Sequence, residues 1–211
     1  MPDRENCNMA EQMPDSREAC IAAYFLQSRQ ALDAAMTDRE LATAVLAIAD
    51  CLTGALRKGN KLLVAGNGGS AADAQHIAGE LLSRLNFDRS PLPALALTTD
   101  TSVLTAIGND YGFDKIFERQ VRGLARQGDV FLAISTSGRS PNILCALQAA
   151  RDMGVTTIGF TGNRDSAMIP LCDLCLRAPA AETPLIQQIH IIAAHSICAI
   201  VEQDMFGSSR E

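Results

Sequence analysis

The chain has 211 residues, the length of one domain able to bury a sizeable core, which argues against several domains. Its 47% hydrophobic and 20% charged residues exclude wholesale disorder. With 18 Lys and Arg against 24 Asp and Glu, a net charge of −6, 4% aromatic residues and no Trp, it offers no basic or base-stacking surface, so no nucleic-acid partner is expected.

Residues 1–15 are polar and lack the apolar core of a signal peptide, and no apolar run of about 18 residues marks a membrane span. A flexible tail on a cytoplasmic protein without a membrane partner is expected. Ile21, Phe25, Leu26 and Leu32 recur at helical spacing, as do Leu41, Val45, Ile48, Leu52 and Leu56 beyond Thr37-Asp38. Residues 16–58 are therefore predicted as a helical hairpin that covers the rest of the domain or a neighbouring copy. From residue 61, β-prone runs at 61–65, 94–98, 130–135, 156–161 and 174–177 alternate with helices at 70–87, 114–126 and 141–154. A short turn at 165–169 and a last helix over 184–205 complete the chain. Strands alternating with helices need parallel pairing, so the fold class is α/β: a three-layer α/β/α sandwich on a five-stranded parallel sheet, one domain over 16–211. The seven cysteines, Cys7, Cys20, Cys51, Cys145, Cys172, Cys175 and Cys198, read as small core residues in a reducing compartment. Cys172 and Cys175 have the spacing of a redox or zinc pair but lack a second such pair, and are read as two strand cysteines.

Ligands of open parallel sheets sit beyond the carboxyl ends of the strands. The first strand ends in Gly66-Asn67-Gly68-Gly69-Ser70 and runs into a helix, a turn that fits either steric need for glycine or an anion cradle. It is neither a Walker loop nor a dinucleotide fingerprint. The third strand ends in Ser135-Thr136-Ser137-Gly138-Arg139-Ser140 before Pro141. A helix cap explains one or two hydroxyls at a helix start, not four, so a phosphate site is preferred there, of a kind suited to a sugar-phosphate monoester.

Three histidines are present: His76, His190 and His195. His76, Glu80 and Arg84, four residues apart, form one stripe, opposite Ala74, Ile77, Ala78, Leu81 and Leu85. The bland interpretation is a solvated His/Glu pair; the sharp one draws on its helix, which starts at the Gly-rich turn. His190 reads as a rim residue. His195 lies in an apolar run and needs a partner, either a backbone carbonyl or a metal or substrate oxygen. Imidazole, carboxylate and amide oxygen would together suit zinc.

Taken in order, Gly66-Asn-Gly-Gly-Ser70, His76-x-x-x-Glu80, Asn109-Asp110, Ser135-Thr-Ser-Gly138 with Ser140, and Ile186-Gln-Gln-Ile-His with His195 resemble the phosphoheptose isomerases of the sugar isomerase (SIS) superfamily, over about residues 21–207. The resemblance implies a homotetramer that converts sedoheptulose 7-phosphate to D-glycero-D-manno-heptose 7-phosphate on the way to lipopolysaccharide; active sites built by more than one subunit are expected from the spacing of Gln187 and His195. It implies zinc held by His76, Glu80, Gln187 and His195, and substrate contacts from Asn67, Gly68, Gly69, Glu80, Asn109, Asp110, Ser135, Thr136, Ser137, Ser140 and Gln187. Glu80 and His195 would be catalytic, Glu80 as the base between C1 and C2 and His195 as the proton shuttle at oxygen. The chain departs from the family pattern at Arg139, Leu185, Gln188 and 163–166. Two other readings share the fold. A non-enzymatic replication-initiator-associating protein would typically lack a glutamate at Glu80 and carry Asn at His195, and a sugar-phosphate-sensing module would usually carry a DNA-binding domain.

Spacing itself bears on the metal set. Gln187 and His195 are eight residues apart, about 12 Å along a helix, too far for one ion unless the helix bends or two copies contribute. No Pro or Gly invites a bend.

Overall fold

Short apolar strands joined through helices must cross over to pair in parallel, and the chain supplies those crossovers. The computed structural model describes residues 16–207; the tail expected over 1–15 lies outside the described residues. Helices α1 (Arg17–Thr37) and α2 (Arg39–Arg57) come first, followed by β1 (Leu62–Gly66), α3 (Gly69–Leu82), β2 (Ala94–Ala96), α4 (Thr101–Tyr111) and α5 (Ile116–Leu124). Then come β3 (Val130–Ile134), α6 (Pro141–Asp152), β4 (Thr156–Gly162), β5 (Leu174–Ala178) and α7 (Thr183–Phe206). The five strands form one sheet in the order β2-β1-β3-β4-β5, every neighbouring pair parallel.

Strand alternation sorts the core into two layers. Leu62 and Val64 point with Leu132 and Ile134 into the layer under α2, α3 and α7, where Ile48, Leu52, Ile77, Leu81 and Ile197 pack. Leu63 and Ala65 point the other way, with Phe131 and Ala133, onto Phe117, Ile143 and Leu147 of α5 and α6. β1 and β3 are buried throughout, as two-faced cover requires. The strand order turns back between β1 and β3, which puts the Gly-rich turn and the serine loop side by side at the switch point.

Asp38 divides the hairpin by accepting from the backbone N–H groups of Glu40 and Leu41, an N-cap for α2. Both hairpin helices pack on α7, α2 more extensively than α1. α1 buries only Ala31 and leaves Ile21, Phe25 and Met36 exposed at 59%, 71% and 83%.

Several boundaries differ from expectation. α4 was not foreseen: its sequence, Thr-Ser-Val-Leu-Thr-Ala-Ile-Gly-Asn-Asp-Tyr, has weak helix formers, and Asp100 starts it by accepting from Val103 N. α3 ends at Leu82 rather than at 87, so Arg84 and Leu85 leave its stripes. The expected turn at 165–169 is a 3-10 turn at Ile169–Leu171. Contrary to the expectation that no run is long and apolar enough, α7 has the length and composition of a membrane span. Here it lies against α2, α3 and the sheet, with ten buried residues. Cys175 stands in β5 while Cys172 precedes it, and only Cys198 among the described cysteines is fully buried.

Candidate active site

α3 begins at the Gly-rich turn. Gly68 adopts φ +57° and ψ −121°, a conformation essentially confined to glycine, and lets the chain swing directly from β1 into the helix. One turn spacing then aligns His76 and Glu80, whose Nε2 and Oε1 stand 3.0 Å apart. The buried stripe opposite them is Ala74, Ile77, Ala78 and Leu81, as the helical period requires.

α7 brings the third member. His195 Nε2 lies 3.1 Å from His76 Nε2, and the ligand atoms of His76, Glu80 and His195 all fall within 4.8 Å of one another. A neutral imidazole nitrogen either donates or accepts. One proton on His76 Nε2 can be aimed at Glu80 or at His195, not at both, whereas a cation between the three satisfies all of them. Separations of 3.0 and 3.1 Å are near the roughly 3.3 Å edge of a tetrahedron with ligands at about 2.0–2.1 Å. Two imidazoles and a carboxylate are also the donor types of a three-ligand catalytic centre with one open position. The trio is a candidate metal-binding group.

The roles expected of the two α7 histidines are exchanged in burial. His190, read as a rim residue, is fully buried and its Nε2 faces Thr161 O at 3.1 Å. Burial holds its pKa down at about 4 against that bond, so it is neutral at neutral pH. His195, read as the buried imidazole, is half-buried and its partner is His76. α7 is apolar almost all round, so its pattern did not say which face meets the sheet.

Gln187 meets α3 at its first residue. A Cβ placed on Gly69 would lie 2.4 Å from Gln187 Nε2. Gln187 thus sits against the start of α3, about two turns before His76.

The hydroxyls of the serine loop bond within the loop. Ser140 occupies the N-cap position of α6 but its side chain makes no capping bond; its Oγ pairs with Ser135 Oγ at 3.1 Å. Ser137 Oγ accepts from Arg139 N. Gly138 takes φ +60° with the hydroxyls of Ser166 and Thr161 pressed where a side chain would stand. Beside the loop is a cavity of about 170 Å³ whose lining includes Thr136, Ser137, Arg139, Arg164 and Thr183. Arg139 and Arg164 add positive charge beside the loop, in addition to the hydroxyls expected there. A further unforeseen residue is Asn142, 1% exposed, which exchanges two 2.9 Å amide hydrogen bonds with Asn67 and ties the Gly-rich turn to α6. No local sequence signal marks it, since its partner is 75 residues away. Asn109 and Asp110 are exposed at the end of α4 and bond to each other. Asp73, one turn before His76, has a buried Oδ2 with no partner among the described residues, and burial raises its pKa against the opposing influence of His76.

The SIS domain family matches residues 23–162. A phosphoheptose isomerase of Bradyrhizobium sp. (strain ORS 278) is 54% identical over 94% of this chain and all of its own length. The chain belongs to the phosphoheptose isomerase family. Solved phosphoheptose isomerases are similar in shape as well. That of Neisseria gonorrhoeae has a TM-score of 0.83 at 41% identity, covering 89% of this chain and 100% of its own. That of Francisella tularensis has a TM-score of 0.85 at 38% identity, covering 89% and 99%. The enzyme class and fold inferred from the motifs therefore stand, and the reading as a replication-initiator-associating protein gains no support.

Proposed function

We propose that this isomerase interconverts sedoheptulose 7-phosphate and D-glycero-D-manno-heptose 7-phosphate in the cytoplasm, supplying heptose for lipopolysaccharide. The observation that carries the reading is the convergence of His76, Glu80 and His195 from two helices beside a hydroxyl-rich loop, in a chain whose relatives bear the name phosphoheptose isomerase. An initiator-binding surface would have no use for that convergence.

The reaction moves a proton between C1 and C2, so it needs a base within reach of both carbons and a partner for the oxygens on which charge develops. Glu80 is the base: it is partly shielded, at 18% side-chain exposure, and has a second oxygen beyond the one facing His76. His195, whose Nε2 faces the other two ligands, passes a proton to or from the substrate oxygens when Nε2 is not engaged by the cation, or through Nδ1. Ser135, Thr136, Ser137 and Ser140 hold the phosphate, with Arg139 and Arg164 adding charge nearby. The backbone N–H groups of Gly68 and Gly69, with Asn67, Asn109, Asp110 and Gln187, orient the sugar chain. Asn67 suits that task because Asn142 fixes its amide.

Zinc is the cation the donor set fits, and when bound it polarises the carbonyl and orients the hydroxyls. His76, Glu80 and His195 of one chain would hold it. Gln187 would complete the set from a neighbouring copy, since within one chain it lies at the other end of α3. Exposed Ile21, Phe25 and Met36, and a groove between α1, α2 and α7 lined by Met36, Leu46 and Ile192, support assembly into a homotetramer. The test is turnover of sedoheptulose 7-phosphate by chelator-treated protein with zinc added back. Activity that returns with zinc supports the reading; a fully zinc-loaded protein that turns over none of it refutes the reading.

A further inference from the structure

The three convergent side chains come from two helices, so their geometry depends on how α3 and α7 are held against each other. α3 stops at Leu82, where its last carbonyls would ordinarily lack partners. Arg89, in the segment that follows, occupies this end: its Nη2 donates to Glu80 O at 2.8 Å and its Nη1 to Leu81 O at 2.7 Å. The same guanidinium donates from Nε to Glu202 Oε1 of α7 at 3.1 Å. The Glu202 carboxylate also accepts from Leu85 N at 3.0 Å and Asn86 N at 2.8 Å, two N–H groups that a longer α3 would have spent on its own carbonyls. Both side chains are sealed, at 2% and 0% exposure, and the Phe206 ring lies 5.7 Å from the guanidinium carbon.

Position gives this pair its meaning. Glu202 is seven residues after His195, two turns along α7 and on the same face. Arg89 bonds the backbone of Glu80 itself. We propose that Arg89 and Glu202 form a buried latch that sets the register between α3 and α7, and so act as positioning residues for the His76–Glu80–His195 centre. The inference deepens the active-site reading above and rests on that centre being the metal-holding one. Although burial opposes its charge, the N–H groups of Leu85 and Asn86 and then Arg89 keep the Glu202 carboxyl below its usual pKa, so the latch is ionised at neutral pH.

A buried ion pair is poor support for stability as such, because desolvation offsets much of the attraction. A fork bonded at once to a carboxylate and to two carbonyls is instead suited to fixing geometry. Groups that orient metal ligands typically cost 10–100-fold in affinity or activity when altered.

The experiment measures zinc affinity by competition with a chromophoric chelator, and kcat and KM separately, well below each melting temperature. Arg89→Lys keeps the charge but cannot reach Glu202 and both carbonyls. The pair Arg89→Met with Glu202→Leu removes both charges, so no unpaired ion is left buried, and a thermal melt with circular dichroism verifies that each variant is folded before it is assayed. Asp129→Asn is the control: its carboxylate accepts from Lys61 and from Arg126 N at the start of β3, outside α3, α7 and the segment that joins Arg89 to them. Both latch variants are expected to bind zinc at least tenfold more weakly and to lose kcat with KM nearly unchanged. The control is expected to lose stability with zinc affinity intact. Wild-type zinc affinity and kcat in the folded latch variants would overturn the proposal. Zinc affinity is read without turnover, so a protein that holds zinc through the latch yet fails to isomerise the sugar would refute the substrate assignment and not the latch.

Discussion

Gly69→Ala separates the Gly-rich turn's role in folding from its role in catalysis. A Cβ at residue 69 would meet Gln187 at 2.4 Å from Nε2 and 2.9 Å from the amide carbon and oxygen. Those atoms are the far end of a flexible side chain, so the amide moves by about 1 Å to reach ordinary contact. An off-rotamer glutamine costs about 0.5–1.5 kcal/mol, and alanine in place of glycine in a helix returns up to about 1 kcal/mol. Stability should therefore fall by no more than about 1.5 kcal/mol, a shift of at most about 3–6 °C in Tm for a chain of this size. A 1 Å displacement of a positioning group can cost about a hundredfold in rate, so kcat/KM should fall roughly 10–100-fold. Gly66→Ala is the contrast, since its Cβ would stand 2.4 Å from the backbone oxygen of Ser70, which cannot step aside. That variant should lose about 1–3 kcal/mol or more. The assays are a thermal melt and steady-state isomerisation. Wild-type kcat/KM in Gly69→Ala would show that Gln187 has no part in the site.

Glu80→Gln should abolish isomerisation and leave the melting temperature within a few degrees of wild type, because the side chain lies on a helix edge; retention of most of the rate would exclude Glu80 as the base. Ser137→Ala and Ser140→Ala should chiefly raise KM, each by the roughly 0.5–1.5 kcal/mol of a neutral hydrogen bond or more to a charged group; a loss confined to kcat would contradict a phosphate-holding role. Mixing inactive Gln187→Ala with inactive His195→Ala under conditions of verified subunit exchange should restore activity in mixed sites; activity that stays at zero would show that one chain supplies the whole set.

The sheet was legible because β1 and β3 are unbroken apolar runs ending in glycine- and serine-rich turns, and alternation with helices left parallel pairing as the solution. α4 was not, since its few apolar residues, Val103, Leu104 and Ile107, are scattered among weak helix formers. Only the Asp100 cap and the i, i+4 spacing of Val103 and Ile107 could have exposed it. The end of α3 was illegible for a different reason. It is set by Glu202, 117 residues from the N–H of Leu85 that it binds, and no local pattern carries such a partner. Within the site, the His76 and Glu80 pairing followed from spacing by four. The resemblance, not the periodicity, joined His195 to them, and the uniformly apolar α7 misled on which histidine is buried. The eight-residue spacing of Gln187 and His195 was readable from residue count alone, whereas the place of Gln187 against Gly69 was not, since that contact joins α7 to α3 across more than a hundred residues.

The centre formed by His76, Glu80 and His195 is proposed to isomerise a seven-carbon sugar phosphate. Incubating the zinc-loaded protein with sedoheptulose 7-phosphate and identifying the product by NMR tests it most directly. D-glycero-D-manno-heptose 7-phosphate is expected from the wild type and none from Glu80→Gln. Unchanged sedoheptulose 7-phosphate with the wild type, or the same product from Glu80→Gln at a comparable rate, would contradict it.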